Sequence, residues 1–204
     1  MHKLTKVFTA FLATFLISGC SNSPLLSGSA ASVGGQSIKQ QVVTDQVKEL
    51  ENQFKTNPGQ LSPPSAGELG QLVVNRLIYE KIISDSVSQL KIKISDSEVA
   101  QLRETIYGQY GEEPVIQQLA AKQGVPATQI NSFFKMVLSQ NYIGTTLEPK
   151  GSAEQQSAAA SRYLANKANQ SNIEISPRYG TWNIQQMIAA GSDNSLSMPA
   201  SGSQ

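Results

Sequence analysis

The spacing of apolar and polar positions divides the chain into helical segments separated by short breaks. Val43, Val47, Leu50 and Phe54 recur at three- and four-residue steps and predict a helix, which stops at TNPGQLSPPS (residues 56–65). Residues 68–90 are the most apolar stretch of the body. Leu69, Leu72, Val73, Leu77, Ile78, Ile82, Ile83, Val87 and Leu90 cover much more than one stripe, the mark of a central, buried helix. Arg76 and Glu80, four apart within it, can pair, a gain of about 0.3–0.5 kcal/mol if exposed.

In KISDSEVAQL (93–102), Ser95 and Glu98 have the spacing of a capping box, and Ile94 with Val99 that of a hydrophobic staple. Val99, Leu102, Ile106 and Tyr110 then form the expected buried stripe, and Gly108 and Gly111 weaken the helix end. A short helix over 113–122 is expected to bury Val115, Ile116 and Leu119 and to stop at Gly124. A longer one follows Val125-Pro126, carrying Ile130, Phe133, Phe134, Met136, Val137, Leu138 and Ile143, and ends at Pro149 and Gly151. The Ala-rich stretch 153–170 predicts a last helix. At the two ends of this body, ASVGGQSI (31–38) reads as a strand entering a Gly-Gly turn, and IEISPRYGTWN (173–183) as a strand broken by Pro177.

The first twenty residues follow another logic. Lys3 and Lys6 precede twelve apolar or small residues, VFTAFLATFLIS. A bilayer crossing needs about 20 apolar residues, whereas a secretory signal needs roughly 7–15 followed by small ones. Ile17-Ser18-Gly19-Cys20 resembles the lipobox of bacterial lipoproteins, whose cysteine thiol takes a diacylglyceryl group before the leader is cut away. The plainer alternative is an ordinary signal peptide with an incidental cysteine. The expected organisation is a leader over 1–19, a Ser/Gly/Ala-rich tether over 20–30, one domain over 31–183 and a disordered tail over 184–204.

Composition then narrows the chemistry. His2 is the only histidine and Cys20 the only cysteine, so leader removal and lipidation would leave neither available. Ser-His-Asp triads, Cys-His dyads, disulfides and zinc sites of His or Cys ligands are then excluded, and no cofactor or metal is expected. Glu112-Glu113 is either a ligand pair or an acidic helix start, and the helix start is the reading adopted. Removing Lys3 and Lys6 leaves 14 basic against 15 acidic residues, with no basic cluster to serve nucleic acid. The protein is expected not to be an enzyme.

Together these segments resemble the N-terminal chaperone domain of the SurA/PrsA family of exported folding factors, a domain with a related arrangement in trigger factor. ASVGGQSI (31–38) is similar to the family's opening A-x-V-N-G-x-x-I, with Gly34 in the Asn slot. Residues 72–99 are similar to its long apolar helix followed by I-x-V-S-D-x-E-V, and YGEEPVIQQLAAKQGV (110–125) to its F-G-x-x-x-F-x-x-x-L-x-x-x-G-L helix. SPRYGTW (176–182) is similar to the N-P-R-Y-G end of actinobacterial members, so the resemblance spans about 31–182. It implies a mainly α fold of about five to six helices, with a short two-stranded pairing of N- and C-terminal strands. Members usually carry a parvulin isomerase domain after the long helix. Here about 25 residues separate Glu148 from Ile173, too few for a domain of 50 or more.

The function expected is a lipoprotein on the outer face of the cytoplasmic membrane, anchored through Cys20, that holds unfolded or exported polypeptides. Tyr107, Tyr110, Phe133, Met136 and Tyr142 are the candidate peptide contacts, because aromatic and methionine side chains re-pack around varied partners. Ordinary core packing is the alternative for each, and Trp182 reads as a packing anchor. The alternative function is an adaptor docking one envelope partner, for which a compact, polar-rimmed patch would speak. A broad apolar groove would speak for promiscuous holding.

Overall fold

The computed structural model describes residues 27–59 and 61–190. The leader, most of the tether and the last part of the tail lie outside them.

Strand β1 (Ser29–Val33) turns over Gly34 and Gly35 into β2 (Gln36–Lys39), antiparallel to it. β3 (Glu174–Ile175) pairs antiparallel with the other edge of β1, giving the order β2-β1-β3. The expected pairing of chain ends is present, with β2 as a third strand. The alternation in QSIK is too short to announce it, and the Gly-Gly turn supplies the reversal.

Six helices fill the interval: α1 (Gln40–Thr56), α2 (Ala66–Gln89), α3 (Asp96–Tyr110), α4 (Glu112–Gln123), α5 (Ile130–Leu147) and α6 (Ala153–Gln170). The last of them fills the stretch between α5 and β3. Serine capping boxes start three helices: Ser65 with Glu68, Ser95 with Glu98, and Ser152 with Gln155. Each satisfies two backbone N–H donors that a helix start leaves open, those of the N-cap and of the third helical residue. Pro126 starts a single 3-10 turn at 127–129, so α5 begins at Ile130 rather than directly after the proline.

The all-round apolar helix is central. α2 touches α1, α4, α5, α6 and β1, and it buries Leu69, Val73, Val74, Ile78, Ile82 and Ile83 to 2% exposure or less. Leu50 of α1, Ile143 of α5, Leu164 of α6 and Val33 of β1 close the core around it. Each such aliphatic side chain contributes about 1.5–3 kcal/mol by leaving water. Close approach completes the packing: a Cβ on Gly144 would lie 2.5 Å from the Gln156 carbonyl oxygen, so α5 and α6 meet backbone to backbone.

Arg76 departs from the surface pair that its spacing suggested. It is 5% exposed. Its Nε donates to the Gly124 carbonyl at 3.2 Å, Nη1 to Glu80 at 2.6 Å, and Nη2 to Gln46. One guanidinium thus joins α2 to α1 and to the end of α4.

The ordered body also extends past the expected boundary at 183. β4 (Thr181–Asn183) pairs antiparallel with β5 (Ile188–Ala190), and the Ala189 N–H donates to Asn75 Oδ1 of α2 at 2.6 Å. The small residues of this stretch read as tail, yet Ala189 is buried. Trp182 packs against the main core, as expected of an anchor.

Candidate functional site

A second, smaller cluster lies beside the main core, where α3 and α4 fold over α5. Its buried members are Val99, Val115, Val125, Ile130 and Phe134. The arm formed by α3 and α4 is held at a few points. At the start of α3, Ser95 and Glu98 close their capping box, and the free carboxylate oxygen of Glu98 accepts from the Tyr142 hydroxyl of α5. One turn further, Arg103 donates to Asn131 Oδ1 of α5 at 2.7 Å. The far end of α4 is fixed by Gly124. Its φ of 59° suits glycine, and a Cβ there would meet Leu72 of α2 at 2.8 Å.

Between these fixed ends the apolar surfaces do not close. Leu102, Ile106 and Tyr110 of α3, Val115 and Leu119 of α4, and Phe133, Phe134 and Val137 of α5 line a cleft of about 440 Å³. Gln118 supplies a polar side chain at its rim. Val115 and Phe134 form the buried floor; the other apolar side chains are half-buried, and Tyr110 is 60% exposed. Phe134 is fixed by edge-to-face contacts with Phe133 and Tyr107, at ring-centre distances of 6.0 and 6.1 Å. Gln118 also borders a shallower hollow of about 720 Å³ between α4 and Pro58, Gly59 and Leu61 of the α1–α2 connection.

The five candidates separate. Tyr110 and Phe133 meet in the cleft. Tyr107 packs on Phe134 but lines a neighbouring hollow with Arg103, Glu104 and Glu112 rather than the cleft, and burial, with Glu112 nearby, pushes its hydroxyl above the usual tyrosine value. Met136 packs against the main core instead. Tyr142 bonds Glu98 and is occupied by that contact, which raises its own hydroxyl pKa. Tyr110 is a correction to the buried stripe: it sits on the last turn of α3, at the open side of the cleft, and is mostly exposed. Leu102, Ile106, Leu119 and Val137 belong to the site although none was picked for it. Leu102, Ile106 and Tyr110 at four-residue steps, opposite Phe133 and Val137 also four apart, carry the signal.

The arm supports the cleft by electrostatics as well. The Ser95 hydroxyl and backbone N–H, together with Tyr142, hold the Glu98 carboxyl at about 2, well below its ordinary 4.5. Glu112 and Glu113 lie in the first turn of α4, where the helix dipole favours them, and Glu113 accepts from Gln117. Among the described residues, no group of three or more His, Cys, Asp and Glu side chains is placed to hold a metal, and no helix is long and apolar enough to cross a membrane.

The architecture defines a class: a helical domain with one central buried helix and an open apolar cleft under a laterally packed helical arm. Residues 2–118, more than half of the chain, match the family model of the SurA-like N-terminal domain, and the chain belongs to that family. The match starts earlier than the resemblance at 31 and ends within α4, so α5, the third wall of the cleft, lies beyond it. No curated protein and no solved structure matches the chain.

Proposed function

We propose that this chain is a lipoprotein, anchored through Cys20 to the outer face of the cytoplasmic membrane, that holds unfolded or exported polypeptides in the cleft between α3, α4 and α5. The observation that carries the reading is that cleft: apolar side chains on all three walls, aromatic on α3 and α5, open to water, and most of them half-buried. Such walls bind apolar segments with little sequence demand, since they need shape and apolar area rather than fixed polar partners. Holding requires no covalent step, and the mature chain would have neither histidine nor free thiol to offer one.

The test is aggregation of several unrelated unfolded clients in the presence of the mature chain. Suppression at near-stoichiometric ratio is expected, weakened by Phe133→Ser. No suppression and no peptide binding by any client would remove the holding activity. Intact-mass measurement of the native protein tests the anchor separately, through the diacylglyceryl mass on the peptide beginning at Cys20.

A second reading, docking of one dedicated envelope partner, is favoured by the modest size of the cleft, about 440 Å³, which takes a few side chains at a time. Similar affinities across unrelated unfolded clients support holding; binding confined to one folded protein supports the adaptor.

A further inference from the structure

The seven residues from Gly108 to Pro114, the end of α3 and the start of α4, are all exposed. On either side of them the chain is anchored. Tyr107 packs edge-to-face on Phe134 of α5, and Val115 belongs to the buried floor of the cleft. Arg103, more than a turn earlier, makes the last side-chain hydrogen bond from α3 to α5. Among the described residues, the hydrogen bonds of 108–114 stay within α3 and α4.

Gly108 opens this span, and packing does not ask for it. Gly70 in α2 and Gly144 in α5 sit where a Cβ would press on the Tyr179 ring at 3.2 Å and the Gln156 carbonyl oxygen at 2.5 Å. A Cβ on Gly108 would meet nothing within 4 Å, although the residue lies inside α3. Inside a helix, glycine shifts the local balance away from helix about two- to fivefold relative to alanine. Three residues on, Gly111 ends α3 with φ 84°, and α4 starts there without a side-chain cap. A weakly held turn thus carries Tyr110, 60% exposed at the rim of the cleft.

We propose that the last turn of α3 is a flap, hinged at Gly108, that folds over an apolar polypeptide segment seated in the cleft, with the Tyr110 ring as its cover. The occupant rests on the holding reading; the hinge rests on Gly108 and the exposed span. An aromatic ring at the mouth of an apolar cleft gains by covering what the cleft holds, since both apolar surfaces then leave water. Bending at one glycine moves that ring while Tyr107 and Val115 keep their places, so the floor retains its shape. Closure of this kind acts on release rather than on capture.

The test compares the mature chain with Gly108→Ala, Tyr110→Ser and the two combined. Stopped-flow release of a fluorescein-labelled peptide of leucine, phenylalanine and serine is read beside a thermal melt. Gly108→Ala should raise the melting temperature and yet release the peptide about two- to fivefold faster, because it holds the turn in its open form. Tyr110→Ser should speed release at least as much with the melt unchanged. In that background Gly108→Ala should add nothing, since no cover is left to move. A glycine that merely weakens a helix end gives a higher melt and unchanged release. That outcome, or slower release, overturns the flap and leaves the cleft as the binding site. A Gly108→Ala effect that persists in full without Tyr110 also overturns it. If the native chain binds no such peptide, the holding reading fails and the flap falls with it.

Discussion

The two apolar clusters use the same residue types and differ in closure. Around α2, Leu50, Val73, Val74 and Ile78 are fully buried, and Leu164 and Val33 are within 1% of it. In the arm cluster Val99, Val115, Ile130 and Phe134 keep 4–8% exposure, and their neighbours Leu102, Ile106, Leu119 and Phe133 are half-open. A closed core sets a stable frame, because every lost methylene there leaves a void. An open one costs stability little when altered and leaves apolar area free for a partner. The chain thus allots a closed core and an open apolar cleft to different regions.

The largest effect should come from the closed side. Ile78→Ala removes buried atoms at the centre of α2 and should lower unfolding free energy by about 2–5 kcal/mol. Urea unfolding followed by circular dichroism measures it, and a cost under 1 kcal/mol would mean that the α2 core is looser than its burial implies.

Arg76→Ala sits at the junction of the two regions and should cost about 2–3 kcal/mol, since it strands the Gly124 carbonyl, Gln46 and Glu80 together. Arg76→Lys should recover little of this, because an ammonium lacks the planar fork that reaches three acceptors. Hydrogen exchange along α4 should quicken in both variants. If α4 protection stays unchanged, the guanidinium does not tie the arm to the frame.

How much of this was readable beforehand follows the same division. The closed core was legible because burial shapes the pattern: the apolar positions of 68–90 cover much more than one stripe, and Ser95 with Glu98 fixes the start of α3 by local chemistry alone. The role of Arg76 was not legible, since its decisive partners, Gln46 and Gly124, are 30 and 48 residues away. The candidate site was half legible. Aromatic type picked out Tyr110 and Phe133, which both line the cleft, but type cannot say which way a helix face turns, and Met136 packs on the main core. The aliphatic wall was passed over because a stripe at helical spacing looks identical whether its opposite face arrives or stays away.

On the open side stability and binding should separate. Ile106→Ala should cost about 1 kcal/mol or less, as its side chain is already half in water. It should nevertheless weaken binding of an apolar peptide about tenfold, the equivalent of 1.4 kcal/mol taken from the contact. Fluorescence anisotropy of a labelled peptide read beside a thermal melt gives both quantities. Parallel losses in the two would place Ile106 in the frame and erase the contrast between the regions.

The smallest effect concerns the latch that closes the arm at its base. Glu68, Glu98 and Glu154 are each lowered by a capping serine, and Glu98 has one further donor, the Tyr142 hydroxyl from another helix. A carboxyl lowered in the folded state stabilises it fully above its ordinary value of 4.5, and the contribution fades as pH falls through the folded value of about 2. The α3–α5 latch should therefore be intact at neutral pH and weaken progressively between those values. Carboxyl titration by NMR should find Glu98 near 2, the lowest of the three. Tyr142→Phe removes the cross-helix donor and should raise Glu98 alone, while Glu68 and Glu154, bonded to their local serines, stay where they are. If Glu98 titrates with the ordinary carboxylates, or ignores Tyr142→Phe, the base of the arm is not latched, and the α3–α4 pair is freer of α5 than its geometry indicates.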